Sequence, residues 1–80
     1  MSATAPRKAV SNRIVQHEVV LFLPGSVWSA ERYETTLQGP IPDWSWRDAV
    51  HHLERRWPNG RVTVWRGLGR HRRKIYETKL

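Results

Sequence analysis

The chain has no cysteine, one methionine and one phenylalanine among its 80 residues. Without cysteine there is no disulfide framework and no thiolate metal site, which are the usual staples of small extracellular domains. No apolar run approaches the roughly 20 residues of a membrane-spanning helix, and the opening segment lacks the apolar core of a signal peptide. The expectation is an intracellular, cytoplasmic protein with no membrane partner. Acidic residues are scarce at one end only. Residues 61–80 carry Arg61, Arg66, Arg70, Arg72, Arg73, Lys74 and Lys79 against Glu77 alone, whereas residues 1–60 set seven Lys or Arg against six Asp or Glu.

That asymmetry is the most informative property of the sequence. Like charges crowded into one element repel one another unless a partner of opposite sign uses them, so a local basic excess is the footprint of a polyanion or an acidic surface. Eleven of the 14 basic residues are Arg, whose planar guanidinium suits bidentate contact with phosphate and stacking on bases.

Eighty residues allow one domain. The segment MSATAPRKAVSN is too polar to join a core and is expected to form a flexible tail over 1–12, leaving a single domain at 13–80. So small a domain buries only about 60% of the surface of its unfolded chain. The five Trp are suited to supplying the missing burial.

β-Branched residues dominate from Arg13 to Leu23, and the apolar run Val19 to Leu23 stops at Pro24-Gly25, which predicts a strand partly buried on both faces. A second strand is expected near Ala30 to Leu37, returning antiparallel and ending at Gln38-Gly39-Pro40. Trp46, Ala49, Val50, Leu53 and Trp57 then fall at helical spacing and predict an amphipathic helix over 45–57. Ser45 and Asp48 are spaced as a capping box, and Pro58-Asn59-Gly60 closes the other end. Asp48, His51, His52 and Arg55 form the far, solvated side. Beyond Gly60 the stretch Arg61 to Arg66 alternates, Gly67-Leu68-Gly69 turns with positive φ, and Arg70 to Leu80 returns. The order is β-β-α-β-β. An α+β fold follows, with a four-stranded, mostly antiparallel sheet and one helix packed on one face. Tyr-Glu-Thr occurs in both expected hairpins, a mild sign that the two are alike.

One helix covers one face. With Val62 and Val64 pointing into the core, Arg61, Thr63 and Trp65 point to the other side, where an indole beside arginines is suited to stacking bases while cations neutralise the backbone. Arg70, His71, Arg72, Arg73 and Lys74 are too dense for one side of a ribbon. The candidate nucleic-acid contacts are therefore Arg61, Trp65, Arg66, Arg70, Arg72, Arg73 and Lys74. A charged edge strand that discourages aggregation is the plainer explanation of the same residues.

The alternative partner is an acidic protein surface, with Trp28 and Trp44 as candidate anchors; pairing of two copies through the open face or a free edge is a further option. Trp46 and Trp57 belong to the helix stripe and are expected in the core, and Trp44 is expected to staple the helix start to the strands. Catalysis has no visible basis. His51 and His52 are adjacent and splay about 100° apart on a helix rather than chelating from one side. No nucleophile elbow or phosphate-cradling glycine loop is present, and neither an enzyme nor a cofactor is expected. No family resemblance holds: Trp65 to Lys74 lacks the aromatic signature of RNA-recognition sheets, and one helix cannot form a helix-turn-helix.

Overall fold

The computed structural model describes residues 13–79; the expected tail at 1–12, with Arg7 and Lys8, and Leu80 lie outside the described residues. The elements are β1 (Ile14–Leu23), β2 (Arg32–Pro42), α1 (Trp46–Arg56), β3 (Arg61–Arg66), a single 3₁₀ turn (Gly69–His71) and β4 (Arg73–Glu77). Four strands form one open sheet in the order β2-β1-β3-β4, and every neighbouring pair is antiparallel. The predicted β-β-α-β-β order and α+β class hold. Because β2 and β3 both oppose β1, they run parallel to each other. Joining two parallel strands requires a crossover, and α1 supplies it across β1.

The core lies between α1 and the middle of the sheet. Alternation along β1 and β3 sends Val19, Leu21, Val62 and Val64 to one side, where they meet Trp46 and Val50 of the helix. Val19 pairs with Val64 and Leu21 with Val62 across the two central strands. Each of these side chains contributes on the order of 1.5–3 kcal/mol by leaving water. Leu53 and Trp57 pack against the edge of this cluster, so the helical stripe performs as its spacing predicts. Asp48, His51, His52 and Arg55 are all exposed on its far side.

The joint from α1 to β3 depends on Gly60, which is buried. A Cβ there would lie 3.1 Å from both Leu21 Cδ1 and the Phe22 carbonyl oxygen. Its amide donates to Trp57 O at 2.9 Å, which bends the chain from the helix directly onto β1.

Three local expectations are corrected. The second strand runs from Arg32 to Pro42 instead of ending at Leu37. It passes through Gly39-Pro40 because β2 is an edge strand, where a proline costs no ladder bond on its open side. The capping box does not form: Ser45 Oγ donates to Pro42 O at 2.9 Å, and the first turn is closed by backbone bonds such as Asp48 N to Ser45 O at 3.1 Å. Finally, the basic segment does not return as a strand at once. Gly67 and Gly69 take the expected positive φ, but Arg70 and His71 continue in the 3₁₀ turn, so β4 starts at Arg73.

Candidate nucleic-acid interface

The sheet side away from α1 has no covering element among the described residues. Alternation opposite His17, Val19 and Leu21 sends Glu18, Val20 and Phe22 of β1 there. Register then sets three rows across it. Phe22 stands between Tyr33 and Arg61, Val20 between Thr35 and Thr63, and Glu18 between Gln38 and Trp65. β4 adds Glu77 opposite Thr63 and Lys74 opposite Trp65.

Two aromatic-cation clusters occupy opposite ends of this surface. In one, the Phe22 and Tyr33 rings lie 4.8 Å apart, tilted by 44°, and the Arg61 guanidinium is 5.5 Å from the Phe22 centroid. Tyr33 is 69% exposed. In the other, the Arg72 guanidinium lies 4.4 Å over the Trp65 ring, with Lys74 Nζ at 6.0 Å. Arg72 is held in place by Glu18, Nη1 to Oε1 at 2.8 Å, and Thr35 Oγ1 donates to the other oxygen of Glu18 at 3.3 Å. The sheet side of the chain expected to carry Arg61 and Trp65 does carry them, with Trp65 capped by Arg72.

The basic residues divide by what they already contact. Lys74 pairs with Glu77 at 3.0 Å, a contact that holds the Glu77 carboxyl below its ordinary value, and Arg72 pairs with Glu18. Arg66 is on the helix side of β3. Its Nη2 donates to Asp43 Oδ2 at 2.9 Å, and Asp43 Oδ1 is 3.2 Å from His17 Nε2. His17 is fully buried, with its Nδ1 2.7 Å from Val15 O, so this trio ties the start of α1 to the central strands. Among the described residues Arg55, Arg61, Arg70 and Arg73 form no ion pair. Arg70 lies within the 3₁₀ turn between β3 and β4, and Arg73 opens β4 opposite Arg66. Of the seven sequence-predicted contacts, the structure thus brings Arg61, Trp65, Arg72 and Lys74 onto one face, leaves Arg70 in the turn, and sets Arg66 and its cross-strand partner Arg73 on the other side.

A third polar cluster is structural. Tyr76 Oη donates to Glu54 Oε2 at 2.5 Å and Thr78 Oγ1 donates to the same oxygen at 2.7 Å. These bonds lower the Glu54 carboxyl from its ordinary value and, through Glu54, raise the Tyr76 hydroxyl. Val62 N donates to Thr78 Oγ1 at 2.9 Å, so the cluster fastens the end of β4 to α1 and β3.

The candidate anchors differ in setting. Trp28 is 91% exposed at the β1–β2 tip, beside Val27, on a turn closed by Ser26: its Oγ accepts from Trp28 N at 3.1 Å and Ser29 N at 3.2 Å. Trp44 is 38% exposed in the turn before α1. Tyr33 and Phe22 were not among the sequence candidates. Strand alternation opposite Val19 and Leu21 is the signal that finds Phe22, and Tyr33 requires the β1–β2 register. Tyr76, from the other Tyr-Glu-Thr, packs on Trp46 on the helix side, so the two copies are not equivalent.

No helix among the described residues is long and apolar enough to cross a membrane, and no group of three or more potential metal-ligating side chains is found among them. No family model, curated protein or solved structure matches this chain.

Proposed function

We propose that this is a nucleic-acid-binding protein that contacts phosphates through the β3–β4 hairpin. The observation that supports the reading is the hairpin tip, where Arg70 and Arg73 are exposed and have no carboxylate partner among the described residues, next to the uncovered sheet face that carries Trp65, Arg72 and Lys74. Cations already paired on a protein must exchange a carboxylate for a phosphate and gain little. Unpaired ones gain the full charge-assisted contact and release condensed counterions. Arg70 and Arg73 therefore lead, Arg61 adds a contact at the far end of the face, and Arg72 and Lys74 join by exchanging Glu18 and Glu77. Arg66 takes no phosphate, since leaving Asp43 would strip the buried cluster of a partner. The proposed setting is the cytoplasm, where a cysteine-free chain needs no disulfides.

The test is fluorescence anisotropy with labelled nucleic acid at near-physiological salt, comparing the wild type with Arg70, Arg72 and Arg73 changed together to Gln. Binding by the wild type and its loss in a folded variant is expected. Binding only at low salt would defeat the proposal, because any protein this basic adheres to nucleic acid there.

A protein partner is the second reading, and Trp28 favours it. An indole held outward on a hydrogen-bonded turn has the form of an interface anchor. In that case Trp28→Ala abolishes capture of the partner, while loss of a tip arginine mainly slows association.

A further inference from the structure

Resting on the nucleic-acid reading above, we infer that the open sheet face is a platform for a single-stranded polynucleotide, with Tyr33 and the Arg72–Trp65 stack as two stations for unpaired bases. Three observations carry this. The rings stand on a sheet side rather than at the turn, where Leu68, Arg70 and His71 are exposed; Tyr33 is the exposed ring, and Phe22 and Trp65 are half-buried with Arg61 and Arg72 over them. A duplex hides the faces of its bases against one another, so only unpaired bases can lie on such rings. Duplex grooves are instead entered by an element that protrudes.

The second observation is spacing. Phe22 and Glu18 mark the rows of the two stations and are four residues apart on β1, which at strand rise is about 13 Å. Tyr33 and Trp65 also lie two strands apart, about 10 Å sideways, so about 16 Å separates the stations. That is several times the roughly 3.4 Å rise per base of a stacked strand, so bases seated on both are not neighbours in one stack.

Charge placement is the third. The face itself is close to neutral, because Arg72 is paired with Glu18 and Lys74 with Glu77. Its ends are not. Arg61 stands at the Tyr33 end and Arg70 in the turn past the Trp65 end, neither with a carboxylate partner among the described residues. A strand crossing the aromatic rows therefore meets an unpaired cation at each end, while Arg73, opposite Arg66, starts from the helix side of the tip. At the second station the outermost surface is the Arg72 guanidinium lying over Trp65, a cationic plane on which a base can stack as it does on an aromatic ring.

The experiment measures binding of labelled 12-nucleotide oligothymidylate, oligouridylate and a duplex of the same length at near-physiological salt. Wild type, Tyr33→Ala, Tyr33→Phe and the double variant Arg70→Gln/Arg73→Gln are compared. Single strands should bind at least about tenfold more tightly than the duplex. Tyr33→Ala should weaken single-strand binding by about fivefold or more, the scale of one lost stacking contact, while Tyr33→Phe retains it. Tyr33 is 69% exposed, so its truncation leaves the core in place. The tighter of the two single strands identifies the sugar. Duplex binding as tight as single-strand binding, or no effect of Tyr33→Ala, overturns the platform while the tip reading survives if the double variant still loses affinity. Absence of binding to all three by the wild type removes both.

Discussion

Arg66 Nη2 donates to Asp43 Oδ2 at 2.9 Å on the helix side of the sheet, so one member of the basic hairpin is spent on the fold. The next positions along the same hairpin, Arg70 and Arg73, have no such partner among the described residues. Arg66→Gln is expected to lower stability by about 1–2 kcal/mol, the lower part of the range for charged hydrogen bonds because the side chain stays 36% exposed. Affinity for nucleic acid in the folded variant should be unchanged apart from a general loss of charge. Urea denaturation and anisotropy on the same preparation check both halves.

Acid should loosen the corner where β4 meets α1. The Glu54 carboxyl is held below its ordinary value of 4.5 chiefly by hydrogen bonds from Tyr76 and Thr78. A carboxylate whose folded pKa is depressed adds stability that is complete above its unfolded pKa and disappears as pH falls through the folded one. The Tyr76 hydroxyl is raised above 10.0 by the same contact, so its share is complete below pH 10 and is lost as pH rises through the folded value. Urea midpoints between pH 7 and pH 3 should therefore fall in the wild type, and fall less in Glu54→Gln. Equal pH dependence in both proteins would place the acid sensitivity elsewhere.

Leu21 is 1% exposed and pairs with Val62 at the centre of the core. Leu21→Ala should cost about 2–5 kcal/mol, enough to unfold much of a domain this small. By contrast Trp28→Ala, at a position 91% exposed, should change stability by less than about 0.5 kcal/mol. Thermal denaturation of the two variants measures the difference, and a large loss at Trp28 would mean that its turn supports the sheet.

Gly60→Ala tests the helix-to-strand joint. The added methyl would press on Leu21 and on the Phe22 carbonyl, each at 3.1 Å, and the backbone oxygen cannot swing aside as a side chain can. A loss of about 1–3 kcal/mol is expected from overpacking of this kind. Wild-type stability in the variant would show that the joint can shift without cost.

Elements with strong periodicity were legible in the sequence. Trp46, Val50 and Leu53 marked the helix to within a residue at each end, and the alternation of Val62 and Val64 assigned Trp65 to the opposite side. The limits of β2 were not legible, because Gly39-Pro40 reads as a stop unless the strand is known to lie at an edge. Register decided the rest. Alternation sets Arg66 on the side of Val62 and Val64, but its partner was not legible: Arg66 turns to Asp43 and Arg72 to Glu18, and both acids are distant in sequence. Tyr33 was overlooked for the same reason, since its ring gains a neighbour only when β2 lies against Phe22.

The decisive measurement is the salt dependence of affinity for a single-stranded oligonucleotide, taken from about physiological ionic strength upward, for the wild type and for Arg70→Gln/Arg73→Gln. Each neutralised phosphate contributes about −0.7 to the slope of log affinity against log salt on a single strand. If Arg70 and Arg73 contact phosphates, the double variant should have a slope shallower by about 1.4 and a lower affinity at every salt concentration. Parallel slopes for the two proteins would mean that the hairpin tip does not bind the backbone, and the excess charge of residues 61–80 would need a different partner.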